Sequence, residues 1–294
     1  MVLYKQIERN KRHTVIIVTG FILFVLAVGA AFSYIRMGDY YSGMAIAAII
    51  GGGYTLIMLL SSTNVVMKMN HAREIKSAQD NPFLWNTVEG LALAARVPTP
   101  KVYIINDSSP NAFATGTSPK KGAVAVTTGL LDRLNREEIE GVVAHEIAHI
   151  RNYDIRLATI AIALVSVVAI LSDLGSRMLY YSGRSRRDNN NQSPIIFIIA
   201  FVLLIFAPII ATLIRLAISR NREFLADASA AELTRNPHAL ASALRKITTV
   251  DTPVKEASST SAPLYFSDPL KKKAKNLFST HPAPDERIKR LQQM

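Results

Sequence analysis

The stretch VVAHEIAHIRNYD, residues 142–154, sets two histidines four positions apart with a glutamate between them. On a helix, positions four apart lie about 40° from each other around the axis, so His145 and His149 face one way and offer imidazole nitrogens to one ion. That is the pairing a zinc site needs. Glu146, next to His145, is badly placed as a further ligand. It is well placed to take a proton from a water that zinc has made acidic, as that water adds to a carbonyl. A purely structural zinc closes four protein ligands and needs no such base. The pattern therefore points to hydrolysis with one Zn2+ per subunit. Strings of this form arise by chance in on the order of one chain in two hundred of this length, so a third ligand has to be found.

Four other histidines are available: His13, His71, His238 and His281. The stronger candidate is an acid. In SRNREFLADAS, Glu223 and Asp227 again stand four apart on an expected helix and face one point. Glu223 would complete a His-His-Glu set, and Asp227 would accept the N–H of a ligating histidine and set its tautomer. The competing possibility is a solvated helix face on which Arg220 and Arg222 pair with these acids.

Elements far apart in the chain must bring these groups together, and they are unusually apolar. Hydrophobic residues are 49% of the 294 and charged residues 19%, with a mean hydropathy of +0.20. Between Thr14 and Arg36 there are 21 consecutive uncharged residues, and between Asp39 and Lys68 there are 28. A bilayer core takes about 20 helical residues, so each run can cross it. The first exceeds the apolar core of a signal peptide and a second follows at once, which favours an uncleaved hairpin. Two further runs follow. Residues 157–172 give 16 uncharged positions, and residues 195–214 give 20, interrupted by Pro208. Either this pair forms a second membrane hairpin or its members are buried core helices.

The net charge of +12 follows a topological pattern. Lys5, Arg9, Lys11 and Arg12 precede the first run, Lys68, Arg73 and Lys76 follow the second, and the connection near Arg36 and Asp39 is almost neutral. Both ends of the hairpin are thus expected on the cytoplasmic side of the membrane. The basic loop 175–193 disagrees with a fully crossing second hairpin. His145 and Glu223 flank that second pair, so sharing an ion requires the pair to cross twice or not at all. The charges around the histidine helix, from Arg136 to Glu140 and from Arg151 to Arg156, keep it out of the bilayer core. Nucleic acid is not expected as a partner. The lysines of KKKAK suit lipid headgroups or water. With no cysteine, there is neither a disulfide framework nor a thiolate metal site.

Residues 70–96 read as helical, with a polar cap and Pro82 near the first turn of DNPFLWNTVEG. KVYIIND, NAFATG and GAVAVTTG read as strands divided by turn residues. Asn135 is the expected cap of the histidine helix, with acids in its first turn. The fold class is an α+β membrane protein, mainly helical, with a small antiparallel-type sheet and two hydrophobic hairpins, about four transmembrane helices in all. Its divisions are a transmembrane hairpin (1–67), a first catalytic part (68–156), a second hydrophobic hairpin (157–214) and a second catalytic part with a basic C-terminal segment (215–294).

The N-terminal hairpin, NAFATG, HEIAH, the second apolar pair, REFLADASA and FSTHPAPDERIKRL together resemble the HtpX family of membrane-bound zinc metalloproteases, relatives of the CAAX prenyl proteases. The resemblance runs through nearly the whole chain. It implies a gluzincin-like domain with His145, His149 and Glu223 on zinc, Glu146 as general base and Asp227 orienting a ligand. It further implies that NAFATG is an edge strand for an extended substrate, with Asn111 touching the substrate backbone and His281 donating to the oxyanion. The activity implied is endopeptidase cleavage of damaged or misfolded membrane proteins at the cytoplasmic face, a quality-control and stress-response role.

Overall fold

The computed structural model describes residues 2–165, 220–258, 260–271 and 282–294. Helix α1 (Val2–Met37) carries the first apolar run. The chain turns at Gly38, whose φ of 71° suits a residue without Cβ, and returns through α2 (Tyr41–Ile46), a π-helical turn (Ala47–Gly52) and α3 (Gly53–Met69). Asp39 accepts from the N–H groups of Tyr41 and Ser42, satisfying donors that a helix start leaves open. The two arms pack closely where Gly29 and Gly43 face each other, and a methyl group on either would run into the backbone of the other.

Two stretches, Glu8–Ala27 and Tyr41–Met69, are long and apolar enough to cross a membrane. Only 17% of each is buried, and Leu23, Ile49, Ile57 and Leu60 stand exposed on them, unlike the side chains of a soluble core helix. The expectation of about four spans is therefore met by two among the described residues. The fourth run, the basic loop before it and KKKAK beyond its first lysine lie outside them. Of the third run, residues 157–165 are helical, and Ile160 and Leu164 pack with Phe21 and Met58 of the hairpin.

The sheet contains β1 (Arg73–Ile75), β2 (Lys101–Ile105), β3 (Ala112–Thr115) and β4 (Ala123–Thr127) in the order β1-β2-β4-β3. It is mixed, which corrects the expected antiparallel type: β1–β2 and β3–β4 are antiparallel, but β2 and β4 run parallel. The reason is the route of the chain. It reverses from β2 into β3 at the outer edge and reverses again into β4, which slots between them and so runs with β2. The three strands were legible from their apolar runs, whereas neighbour choice was not.

A second correction concerns residues 70–96. The helix is only α4 (Pro82–Ala94), opened by Asn81 accepting from the N–H of Leu84, and Arg73–Ile75 is strand β1. Pairing with β2 decides this, because three residues carry too little pattern to announce a strand.

Helices α5 (Thr128–Arg133), α6 (Arg136–Arg151), α7 (Arg220–Thr234), α8 (Pro237–Thr248) and α9 (Pro284–Leu291) pack around the sheet, with short 3-10 turns at Pro119–Lys121 and Ala262–Leu264. On one side of the sheet, Leu84, Val88, Val142, Leu240 and Leu244 form the main core. On the other, Tyr103, Ile105, Phe113 and Tyr265 pack with Val66 and Met67 of α3, tying the catalytic part to the hairpin.

Helix α6 starts as expected at Asn135, in a reciprocal cap with Glu138. The buried Glu138 carboxylate also accepts from Ser242 Oγ at 2.7 Å and Lys246 Nζ at 2.8 Å, fastening α8 to α6. Burial alone would raise its pKa, but Lys246, Ser242 and Asn135 outweigh this and hold it below the ordinary 4.5. A carboxylate depressed by folding stabilises above its unfolded pKa, and the gain is lost as pH falls through the folded value. Glu138→Gln is therefore expected to lower stability by about 1–2 kcal/mol at pH 7. The difference should vanish toward pH 3, read by thermal unfolding in detergent; a difference that persists there would contradict the ionic origin.

Candidate active site

Helix α6 enters the core with its middle buried, and this brings His145 and Glu146 to 1% exposure each. Helix α7 lies against it and delivers Glu223 and Asp227 from 78 and 82 residues beyond His145. The ligand atoms of His145, His149 and Glu223 all lie within 4.8 Å of one another. The two Nε2 atoms are 3.0 Å apart, with Glu223 oxygens 3.5 Å from His149 and 3.8 Å from His145. Atoms bound about 2.0–2.2 Å from one tetrahedral ion stand about 3.3 Å apart, so the donor set fits such an ion in type and spacing.

Each imidazole is oriented from behind. His145 donates its Nδ1 proton to Asp227 Oδ1 at 2.9 Å, which leaves the Nε2 lone pair facing the cluster. His149 donates its Nδ1 proton to Asp154 Oδ2 at 3.2 Å, which turns its Nε2 edge toward the cluster. The Phe266 ring stands edge-on to His145 with centroids 5.0 Å apart. Asp227 is itself gripped by Arg287, whose Nε and Nη2 donate to its two oxygens at 2.8 and 2.7 Å. Arg287 is 1% exposed, donates also to the Phe266 carbonyl at 3.2 Å, and has Nη1 3.5 Å from Glu223.

The protonation states follow from these contacts. Burial lowers the His145 pKa to about 4, against the pull of Asp227, so this ring is neutral at pH 7. Burial works in the same sense on His149, but Asp154, Glu223 and Glu146 overcome it and push the group up to about 9. In the metal-free protein His149 thus supplies a positive charge that a bound cation would replace. Burial would raise Asp227, yet Arg287 and His145 hold it near 2. Burial is also the main cause that pushes Glu146 up to about 7, with Glu223 adding to it.

Glu146 is anchored by one interaction and open at the other end. The Ala114 N–H of β3 bonds its carboxylate, and Oε2 has no hydrogen-bond partner though buried. A buried carboxylate oxygen left free beside three converging donors is where a polar reactant is to be expected. Ala114, the two histidines, Glu146, Glu223 and Phe266 line one cleft.

Asn111 is placed differently from the reading that set it against a substrate. It is fully buried, its Nδ2 donates to the Ser267 carbonyl at 2.9 Å, and its Oδ1 accepts from the N–H of Ala112 and of Ser267. The chain's own residues 265–267 thus lie along part of the β3 edge, with Phe266 N–H on the Ala112 carbonyl at 2.8 Å. His281 lies outside the described residues. Asp154 and Arg287 were missed as site residues. Asp154 sits inside the opening stretch itself, five places after His149, but off helical register. Arg287 has no local signal, because its partners are on another helix.

The sequence profile of peptidase family M48 matches residues 78–294, a stretch containing every residue of this cluster. The chain belongs to peptidase family M48. Among curated relatives, a protease HtpX homolog of Listeria monocytogenes serotype 4a (strain HCC23) is 56% identical, with 99% of this chain and 100% of that protein covered. Homologs of the same name from Limosilactobacillus reuteri (strain DSM 20016) and Leuconostoc citreum (strain KM20) are 52% and 50% identical at the same coverage. Among solved structures, that of S. mikatae Ste24p shares 19% identity at a TM-score of 0.47, covering 98% of this chain and 66% of that one. Membership of M48 makes the chain a metallopeptidase, and with its two apolar helices a membrane-associated one.

Proposed function

We propose that this M48 member is a membrane-anchored zinc endopeptidase that cuts misfolded or damaged membrane proteins on the cytoplasmic side of the plasma membrane. One observation carries it: His145, His149 and Glu223 converge while the free oxygen of Glu146 stands beside them. A divalent ion held there would polarise a peptide carbonyl and acidify water. Glu146 is then the base that takes the proton, and afterwards the acid that returns it to the leaving amine. Asp227 and Asp154 hold the two imidazoles with Nε2 deprotonated. An extended substrate chain enters the cleft at the Ala114 end of β3, the part of that edge left by residues 265–267, where backbone pairing is nearly indifferent to side chains. Asn111 supports that edge from within, and His281 is proposed as a donor to the oxyanion.

Zinc is favoured by the nitrogen-rich, four-coordinate type of site. The cytoplasmic side is favoured by the basic residues at both ends of the hairpin. Packing of residues 160 and 164 on Phe21 of the first candidate span and Met58 of the second favours the third run entering the bilayer beside the hairpin. The four divisions at 1–67, 68–156, 157–214 and 215–294 follow from that arrangement. Single cysteines placed at 176–192, labelled from either side of the membrane, test it without interference from native cysteine.

The activity test uses detergent-purified full chain with zinc against casein and a destabilised membrane protein. Cleavage is expected and should be abolished by a zinc chelator, then restored by stoichiometric zinc. Chelation should also lower the melting temperature, since an ion at a thousand times its Kd adds about 4 kcal/mol. Cleavage that survives complete metal removal would refute the reading.

A further inference from the structure

We infer that the N-terminal membrane helix is a working part of the metal centre, with Asn10 as the positioning residue that links it to His149. Asn10 lies within the span Glu8–Ala27, yet it is only 3% exposed and donates from Nδ2 to Asp154 Oδ1 at 3.0 Å. The other oxygen of Asp154 receives the Nδ1 proton of His149. Two hydrogen bonds therefore run from the anchor helix to a residue whose Nε2 faces the cluster. Asn10 stands in the charged turn just ahead of the apolar run, among Arg9, Lys11 and Arg12, yet it is buried, and a buried amide is costly unless bonded, which favours this placement over a chance contact.

The neighbouring contacts act on the same turn. Lys11 places its ammonium 4.7 Å from the centre of the Tyr153 ring. Tyr153 has a φ of 59°, a left-handed backbone that costs a residue with Cβ about 1–2 kcal/mol and persists only where surroundings impose it. That conformation carries the chain from the end of α6 back to Asp154. Helix α1 thus holds two consecutive residues of a strained turn, through Lys11 on Tyr153 and Asn10 on Asp154. The buried guanidinium of Arg222 attracts Asp154 as well, but Arg222 belongs to the ligand-bearing helix α7. The contacts from α1 are the ones that reach the partner of a metal-facing histidine, and they make the site sensitive to how the anchor is seated. The consequence is that the proteolytic site is fully formed only when the anchor is docked.

This rests on the reading that His145, His149 and Glu223 bind zinc. The test measures zinc affinity of the full chain in detergent by competition with a chromophoric chelator, beside the melting temperature of the metal-free protein. Outer partners of ligating histidines are worth about 10–100-fold in metal affinity, and Asn10 acts one bond further out, so Asn10→Ala should weaken zinc binding roughly three- to tenfold. Asn10→Asp keeps the shape but sets a like charge against Asp154 and should weaken zinc at least as much, even if the alanine variant folds poorly. Leu23→Ala, on the exposed face at 62%, should leave affinity unchanged. On an Asp154→Asn background, Asn10→Ala should add nothing. Unchanged zinc affinity in both Asn10 variants would overturn the inference and leave the site reading intact, as would full additivity with Asp154→Asn. A wild type that binds no zinc would end both.

Discussion

Replacing Glu146 with glutamine is expected to reduce peptide hydrolysis by about two to four orders of magnitude. Zinc content should stay at the wild-type level, because the side chain is close in shape and is not among the converging ligand atoms. The Ala114 N–H can still bond the amide oxygen, so the loss should fall on kcat with little change in KM. The acid limb of the wild-type rate carries a related expectation. Only the ionised carboxylate accepts a proton, so activity falls as pH drops through its pKa. That value is about 7 in the metal-free protein, raised chiefly by burial, and a cation in the site lowers it. The limb should therefore lie at or below pH 7. Stability moves the other way. Folding raises this pKa from 4.5, so ionised Glu146 costs the metal-free fold on the order of 3 kcal/mol once pH exceeds 7. The glutamine variant, stripped of metal at pH 8, should be at least as stable as the wild type. Wild-type turnover in this variant would remove Glu146 from the chemistry.

Arg287→Met should lower stability by about 3–5 kcal/mol, the usual consequence of taking one partner from a buried ion pair. The wild-type guanidinium donates to both Asp227 oxygens and to the Phe266 carbonyl. Its removal leaves Asp227, ionised and 2% exposed, without its main counter-charge, and frees the carboxylate that orients His145. Zinc affinity should fall with stability. Lysine has a compact head and cannot reproduce the forked contact, so Arg287→Lys should recover only a small part of either. Arg287→Met with Asp227→Asn should recover stability through loss of the stranded charge, but zinc affinity should stay low. Unfolding in detergent and chelator competition read both quantities. An Arg287→Lys protein equal to wild type in each would show that the fork is dispensable.

Arg287 also shows where sequence reading stops. FSTHPAPDERIKRL contains it among other surface-like charges, and nothing in that string marks the one that is buried. Asp154 was in view beside the histidines, yet helical spacing placed it off their face. Only the left-handed turn at Tyr153 returns it to His149. The Asn135 cap of α6 was readable because a cap and the first turn it serves lie within four residues. The mixed sheet was not, because strand patterns report which residues are apolar and carry no record of which strand lies beside which. The β3 edge behaves alike: NAFATG identifies a strand, and the covering of Ala112 and Asn111 by residues 265–267 arises from a segment about 150 residues away.

The amino-acid order alone thus determined the two histidines on one helix face, the base beside them, the acid pair four apart and the apolar hairpin with its charge bias. Each is a repeat or a spacing within a single element, where backbone geometry relates neighbours directly. Tertiary structure alone decided that Arg287 grips Asp227, that Asn10 reaches Asp154 from the membrane helix, and that β4 enters between β2 and β3. Those are meetings of distant elements, and a buried charge or an open strand edge is satisfied by whichever partner packing brings to it.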